Sequence, residues 1–543
     1  MTGVSPSSLW PRPFWMLLVF AFLPGPVIEA ARFLLPATSL ASTRSHYMGL
    51  STISRELVIR GHDVTLLLLD RRGTAGMLEG SYTDNITYPN SKSDEELSAI
   101  QQDILSSMDL GHSNLTISQI FKKMGDFYSY MNFGCYELFR HEESLQKLKK
   151  KKFDMVLSSP VIDACDSLIS AYLNVSLTVI TGTRRTPTFN EDIFGIPVPS
   201  SYTPYSFAVS LPSNMNFWQR VVNFVTRYTI HPVLEYFTIT VPIGRLQAMY
   251  DIRRELSPKQ LLQRADLWLC HTTFALDSAR PISPNWVPVA GYTTKAVKPL
   301  PQKLEAFIEG SGEDGFIIFA LGSMVASISD ESVTNAIAKV FSELKQRVVW
   351  RYVGPTPANL GNNTLISDWL PQSDLLGHPK ARLLIYHGGS AGVHEAVYFG
   401  VPMVIMPLFG DQPANAAAVA DRGLGVVIDR STITEDKFRK AVRQVLDDPR
   451  YKINAAKASA IFQDDLMKPL DRAIFWIEHV VKFGGAHLRT RANDLNFITR
   501  NCLDVLAVIM ASVLLTMHVF VRLCRLLARC CCARNRGQKV KAD

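Results

Sequence analysis

Residues 369–412 read WLPQSDLLGHPKARLLIYHGGSAGVHEAVYFGVPMVIMPLFGDQ, and the reading of this stretch decides the fold. The run 382–386 predicts a strand, His387, Gly388, Gly389 and Ser390 a small-residue turn, 391–399 a helix and 401–406 a second strand. Glycines at a strand-to-helix turn let backbone N–H groups approach an anion. The helix N-terminus adds a favourable dipole, so a phosphate fits there. Asp411 and Gln412 follow the second strand, where a carboxylate and an amide can grip sugar hydroxyls. A phosphate cradle beside a hydroxyl clamp points to a nucleotide-sugar site.

The same strand–turn–helix pattern continues on both sides. Upstream, 316–321 predicts a strand, Gly322, Ser323 and Met324 a turn, 330–345 a helix and 348–352 a strand. An earlier half opens with a strand at 32–36, a polar loop through Ser45, a helix over 47–60 and a strand at 64–69; further strands fit 155–158 and 177–181. Strands alternating with helices give an α/β chain with parallel sheets. The first half goes on into an aromatic-rich stretch, 202–250, and a Pro-rich connector, 281–301, leads to the second. The aromatic stretch reads either as ordinary core helix, or as a greasy acceptor pocket or a surface resting on a membrane. No repeat of 20–50 residues is evident.

Trp369, Gln372, His387, Gly388, Gly389, Glu395, Asp411 and Gln412, in this order and spacing, resemble the signature of the family 1 glycosyltransferases, in particular the animal UDP-glucuronosyltransferase and UDP-glycosyltransferase group. The resemblance runs from about Ala31 to the C-terminal tail. It implies the GT-B architecture: two Rossmann-like domains facing a cleft, with ligands at the carboxyl ends of the strands. The implied layout is a signal peptide over 1–30, an acceptor domain over 31–285, a linker over 286–301 and a UDP-sugar domain over 302–455. Return helices over 456–500 cross back onto the first domain, a transmembrane helix spans 502–521 and a basic cytosolic tail covers 522–543. For the donor, the resemblance implies that Trp369 stacks on uracil and Gln372 bonds the base. His387, Gly388, Gly389 and Ser323 would meet the diphosphate, Gly392 the helix start, Glu395 the ribose, and Asp411 and Gln412 the sugar.

Attack by an acceptor hydroxyl on a sugar C1 needs a base, and histidine suits neutral pH. His46 sits where the first turn enters its helix, where the dipole disfavours the imidazolium. Ser45-His46-Tyr47 resembles the family's catalytic histidine motif. The family pairs this histidine with an orienting Asp, as in a triad without the serine. Here that position reads Ser159-Pro160, so Asp163 is the nearest carboxylate, Asp166 a weaker choice, and a plain helix cap the alternative for Asp163. Two more positions depart from the pattern. Ala391 replaces an asparagine of the phosphate turn, and His271 stands where an arginine can meet a glucuronate carboxylate, which favours UDP-glucose. No Asp-X-Asp triplet occurs, so no metal and no cofactor beyond the UDP-sugar co-substrate is expected. A single displacement would invert the donor linkage. The rival readings are a catalytically weak UDP-sugar- or lipid-binding relative and a transferase that forms glycolipids of the ceramide type.

The chain has 543 residues and a net charge of +8, but seven basic residues against Asp543 put +6 of it in the last 22 positions. Nucleic-acid binding therefore gets little support. An apolar run over 14–23 behind Arg12 has the layout of a signal peptide. A second apolar run, 503–521, would reach about 28 Å, enough to cross a bilayer. The basic tail after it places the C-terminus in the cytosol and the bulk in the lumen. Lys539 and Lys541 resemble a dilysine retrieval signal, so the expected home is the endoplasmic-reticulum membrane. Sequons stand at Asn85, Asn114, Asn174 and Asn362. Cys135, Cys165 and Cys270 are too few for a disulfide framework, and Cys524, Cys530, Cys531 and Cys532 are palmitoylation candidates. The expected partners are a UDP-sugar, a small lipophilic acceptor and the membrane, with homo- or hetero-oligomers left open.

Overall fold

A computed structural model of the chain describes residues 30–38, 44–71, 76, 78–107, 125–126, 129–159, 165–181, 193, 195–205, 209–322, 328 and 330–539; some helical side chains, that of His46 among them, are outside it. Seven strands form the first sheet: β1 (Arg32–Ala37), β2 (Asp63–Leu69), β3 (Asp84–Tyr88), β4 (Met155–Ser158), β5 (Ser176–Ile180), β6 (Leu267–Cys270) and β7 (Trp286–Pro288). Six form the second: β8 (Phe316–Ala320), β9 (Arg347–Arg351), β10 (Thr364–Ser367), β11 (Ala381–Tyr386), β12 (Met403–Ile405) and β13 (Gly425–Val427).

Every strand pairing is parallel, and the orders are β3-β2-β1-β4-β5-β6-β7 and β10-β9-β8-β11-β12-β13. Both reverse direction once, between β1 and β4 and between β8 and β11. A reversal leaves a crevice at the carboxyl ends of its two strands, where ligands of such sheets bind.

The central strands are predominantly apolar because both faces of each sheet are covered, whereas the edge strand β3 is mostly exposed. In β8, Phe316 and Ile318 enter one hydrophobic cluster and Ile317 and Phe319 the other. In β1, Leu34 faces one cluster, while Phe33 and Leu35 face its opposite. Alternation sends successive side chains to opposite faces.

The helices that matter for the site are α1 (Arg44–Ile59), α2 (Cys165–Leu173), α3 (Gln372–Leu376), α4 (Ser390–Tyr398) and α5 (Gln412–Asp421). A late helix, α6 (Pro469–Phe483), inserts Ala473, Ile474, Ile477 and Val480 into the cluster that holds Leu50, Ile53 and Leu57 of α1. Arg60 adds a 3.0 Å ion pair to Asp471. After the short α7 (Phe497–Arg500) comes α8 (Leu503–Lys539), apolar and exposed over Leu503–Cys530. It continues past the predicted end at 521, since the Leu-, Ala- and Arg-rich tail is itself helix-forming. Its length and composition are compatible with a single-pass membrane anchor.

Two features go beyond the sequence reading. The three cysteines of the first half are too few for a framework, and Cys135 and Cys165 form one disulfide across 30 residues. It ties the start of α2 to the helix Phe133–Arg140. The core-helix reading of the aromatic stretch fails over 217–241: Trp218 is 72% exposed, Phe224 56% and Tyr228 51%.

Candidate active site

The turn between β11 and α4 sits at the switch point of the second sheet. Gly388 has φ +87°, a left-handed conformation that glycine adopts without cost. Its other constraint is room, since a Cβ would lie 3.2 Å from the Gln412 carbonyl oxygen. Gly389 is the N-cap of α4, and a Cβ there would lie 2.5 Å from His387 Nε2. From β8, which pairs with β11, Gly322 closes against the same imidazole, and a side chain there would collide with it. The two strand ends thus enclose His387 between glycines, above the first-turn N–H groups of α4.

Burial pushes the His387 pKa down to about 3, so the imidazole is neutral. Some surface of the residue stays accessible, but Nδ1 is buried and has no hydrogen-bond partner among the described residues. His387 therefore offers a hydrogen bond to an anion and no charge.

Gln372 opens α3, and its amide donates to Glu395 on α4 over 2.9 Å. Burial raises the Glu395 carboxyl to about 7, against the bond from Gln372. Burial also raises the Tyr386 hydroxyl well above its usual range, beside the same Gln372 amide. Trp369 follows β10, is 47% exposed, and has the Arg351 guanidinium 5.7 Å from its ring centroid. Arg351 ends β9 and also bonds the carbonyls of Gly322 and, at 3.1 Å, Asp368.

At the start of α5, Asp411 accepts from the Asn415 amide at 2.8 Å, and the same amide reaches the Gly388 carbonyl at 2.9 Å. Asn415 thereby locks the acidic residue to the glycine turn. The Gln412 side-chain Oε1 accepts from Leu408 N at 2.7 Å and Phe409 N at 3.1 Å. Only its amide nitrogen is left to meet a hydroxyl. Arg351, Asn415 and Tyr386 were missed from sequence; the one legible signal was Asn415, four residues after Asp411 on one helix face.

His271 follows β6 of the first sheet and is 4% exposed. Its Nδ1 lies 3.3 Å from Ser390 Oγ, and its ring centroid 4.3 Å from that of His394. The two halves of the chain meet here, under the first turn of α4. Arg422, just past α5, bonds the Leu276 and Asp277 carbonyls at 3.3 and 2.6 Å and makes a second link between the halves.

At the switch point of the first sheet, α1 follows β1 and places His46 in its first turn; the imidazole is outside the described side chains. Asp163 and Ser323 lie outside the described residues, as do Asn114 and residues 1–29. Asp166, in the first turn of α2, is buried and accepts from Ser158 Oγ at 2.8 Å. Of the sequons, Asn85 on edge strand β3, Asn174 in a turn and Asn362 are exposed.

A model of the UDP-glucoronosyl and UDP-glucosyl transferase family matches residues 37–539. The chain belongs to this family. It is similar to UDP-glucuronosyltransferase 2B15 of Homo sapiens, with 35% identity over 509 residues, 92% of this chain and 94% of that one. UDP-glucuronosyltransferase 2A3 of Cavia porcellus is 34% identical over 490 residues, 88% of this chain and 91% of its own. Among solved structures, the spinosyn forosaminyltransferase SpnP matches with a TM-score of 0.54 at 15% identity, over 83% of this chain and 99% of that one. The glycosyltransferase of kitacinnamycin matches at 0.53 and 17%, over 83% and 100%. The fold is therefore GT-B. The family makes the chain a UDP-glycosyltransferase, with a UDP-sugar as co-substrate and a separate acceptor.

Proposed function

We propose that this enzyme transfers a hexosyl group, glucuronosyl or glucosyl, from its UDP-sugar to a hydroxyl of a small lipophilic acceptor, in the lumen of the endoplasmic reticulum. The observation that carries the reading is the glycine-lined turn at His387 to Gly389, joined to Glu395 through Gln372 and to Asp411 through Asn415. In this reading the diphosphate lies on the N-terminus of α4, Trp369 stacks on uracil, Glu395 accepts from the ribose and Asp411 with the Gln412 amide holds the sugar. Ser323 reaches the diphosphate from the facing loop. His46 takes the acceptor proton as the acceptor oxygen bonds C1. The C1–phosphate oxygen bond breaks in the same step, UDP leaves with the electron pair, and the α-linked donor becomes a β-glycoside. Asp163 orients the imidazole, with Asp166 the alternative at the same strand end.

The disulfide Cys135–Cys165 and the exposed sequons support an oxidising, glycan-bearing compartment. The names of the relatives favour glucuronate; His271 favours a neutral sugar. The test is a donor screen of the purified full chain with UDP-glucuronate, UDP-glucose, UDP-galactose and UDP-N-acetylglucosamine against phenolic and steroidal acceptors, for the parent and for His46→Ala. Loss of about 10²–10⁴ in kcat with UDP binding retained is expected. Turnover that survives His46→Ala overturns the mechanism.

A further inference from the structure

Gly49 stands inside the 16-residue helix α1, three positions after His46. Glycine weakens a helix interior relative to alanine, so its presence there needs a reason. The reason is the Tyr292 side chain. The three atoms nearest to a Cβ at Gly49 all belong to the end of that ring, and the Cβ would collide with its hydroxyl. Tyr292 is buried and shares a hydrophobic cluster with Leu50, Ile53 and Leu57 of α1. Burial raises its pKa well above the usual phenol range, so the ring is a neutral, stiff filler. Helix α1 thus forgoes a side chain so that Tyr292 can lie against its backbone.

Tyr292 follows β7 and is tied back to β6. Its N–H donates to the Val289 carbonyl at 3.2 Å, and Val289 N donates to the Cys270 carbonyl at 2.8 Å. His271, the next residue, meets the Tyr292 ring edge to face with centroids 5.6 Å apart. It also meets α4, through Ser390 Oγ at 3.3 Å and the His394 ring at 4.3 Å. His394 Nδ1 donates to the Ser390 carbonyl at 2.7 Å, which holds His394 on the same first turn. Tyr292, His271, Ser390 and His394 are all buried. A continuous run of packed side chains therefore joins α1, one turn beyond His46, to the start of α4.

We propose that Tyr292 and His271 are positioning residues for the transfer step, a spacer that holds α1 and α4, and with them His46 and the donor diphosphate, at their working separation. This rests on reading His46 as the base and α4 as the diphosphate site. Base and donor belong to different sheets, so no single element fixes their distance. A close-packed interior passes a displacement on instead of absorbing it. A misplacement of about 1 Å at a reacting group can cost about a hundredfold in rate. The spacer touches neither Trp369, Gln372 nor Asp411, so disturbing it acts on kcat and leaves UDP affinity in place.

The test is a cycle of variants of the full chain, measuring kcat with the donor that turns over and the Kd of UDP. Gly49→Ala drives a Cβ into the Tyr292 hydroxyl and is expected to lower kcat about ten- to a hundredfold, with UDP affinity held within about twofold. Tyr292→Phe removes the hydroxyl and leaves the ring carbon Cζ 3.4 Å from that Cβ, an ordinary contact. The double variant Gly49→Ala, Tyr292→Phe is therefore expected to recover the kcat of Tyr292→Phe alone. In a His46→Ala background, Gly49→Ala is expected to add no further loss. Full turnover in His46→Ala removes the base reading by itself, and the spacer is then judged on the recovery alone. Parental kcat in Gly49→Ala, a loss that the double variant does not relieve, or a fall in UDP affinity that accounts for the loss overturns the proposal. If Gly49→Ala melts early, His271→Asn replaces it, since Asn keeps a polar atom for Ser390 and withdraws the ring from Tyr292. A lower kcat with UDP affinity held is then the expected result, and an unchanged kcat the overturning one.

Discussion

Glu395 and His387 face the same turn with opposite electrostatics. Burial raises the Glu395 carboxyl to about 7 and lowers the His387 imidazole to about 3, from ordinary values of 4.5 and 6.5. Glu395 holds its proton more tightly in the fold, so its contribution to stability is full at low pH and lost as pH rises through about 7. His387 favours folding above its ordinary value and loses that contribution as pH falls towards about 3. The two slopes oppose each other, so melting temperature does not isolate either group, but donor binding does. A carboxylate accepts both ribose hydroxyls, a carboxylic acid only in part. The donor KM is expected to fall severalfold from about pH 6 to about pH 8, and Glu395→Gln to flatten that dependence. An unchanged profile in the variant would remove Glu395 from the ribose. The glycine turn was legible from sequence because only small residues tolerate a phosphate at a helix start. The neutral state of His387 was not, because it depends on enclosure by Gly322 at the end of β8, far away in the sequence.

Elements were predictable where their periodicity was strong. β4 was read to its observed bounds, and β1, α1 and α4 within a few residues, since an apolar run flanked by turn residues has few other solutions. The aromatic stretch over 217–241 resisted the same logic. Its inward residues are the polar ones, and a hydrophobic pattern alone does not say which face is covered. The disulfide was equally illegible, because two cysteines 30 residues apart do not announce a pairing. Closing that loop removes chain entropy from the unfolded state, worth about 3–4 kcal/mol in the entropic account. Cys135→Ser is therefore expected to lower the melting temperature by several degrees, and chemical reduction of the parent to lower it equally. A variant that melts with the parent would show that the bond adds no stability.

At the scale of the whole molecule, the site depends on two halves held together. Arg422 caps α5, whose first turn carries Asp411 and Gln412, and grips two carbonyls of the first half. Hydrogen bonds from a charged donor contribute about 1.5–3 kcal/mol. Arg422→Ala is expected to lower kcat/KM about tenfold or more while each half keeps its core, seen as a melting temperature changed little beside the loss of rate. A loss of stability with kcat/KM preserved in the folded fraction would make the contact merely structural. The chain by itself determined the α/β class, the doubled sheet, the glycine turn and the apolar C-terminal segment. Each of these follows from local chemistry: alternation and run length, backbone freedom at glycine, and the cost of polar groups in lipid. Only the tertiary structure decided that His271 meets Ser390, that Asn415 ties Asp411 to Gly388, and that the aromatic stretch buries Asn223, Arg227 and His231 while its rings face outward. Those facts rest on which distant segments share a face, and burial is a property of the packed whole that no local spacing encodes.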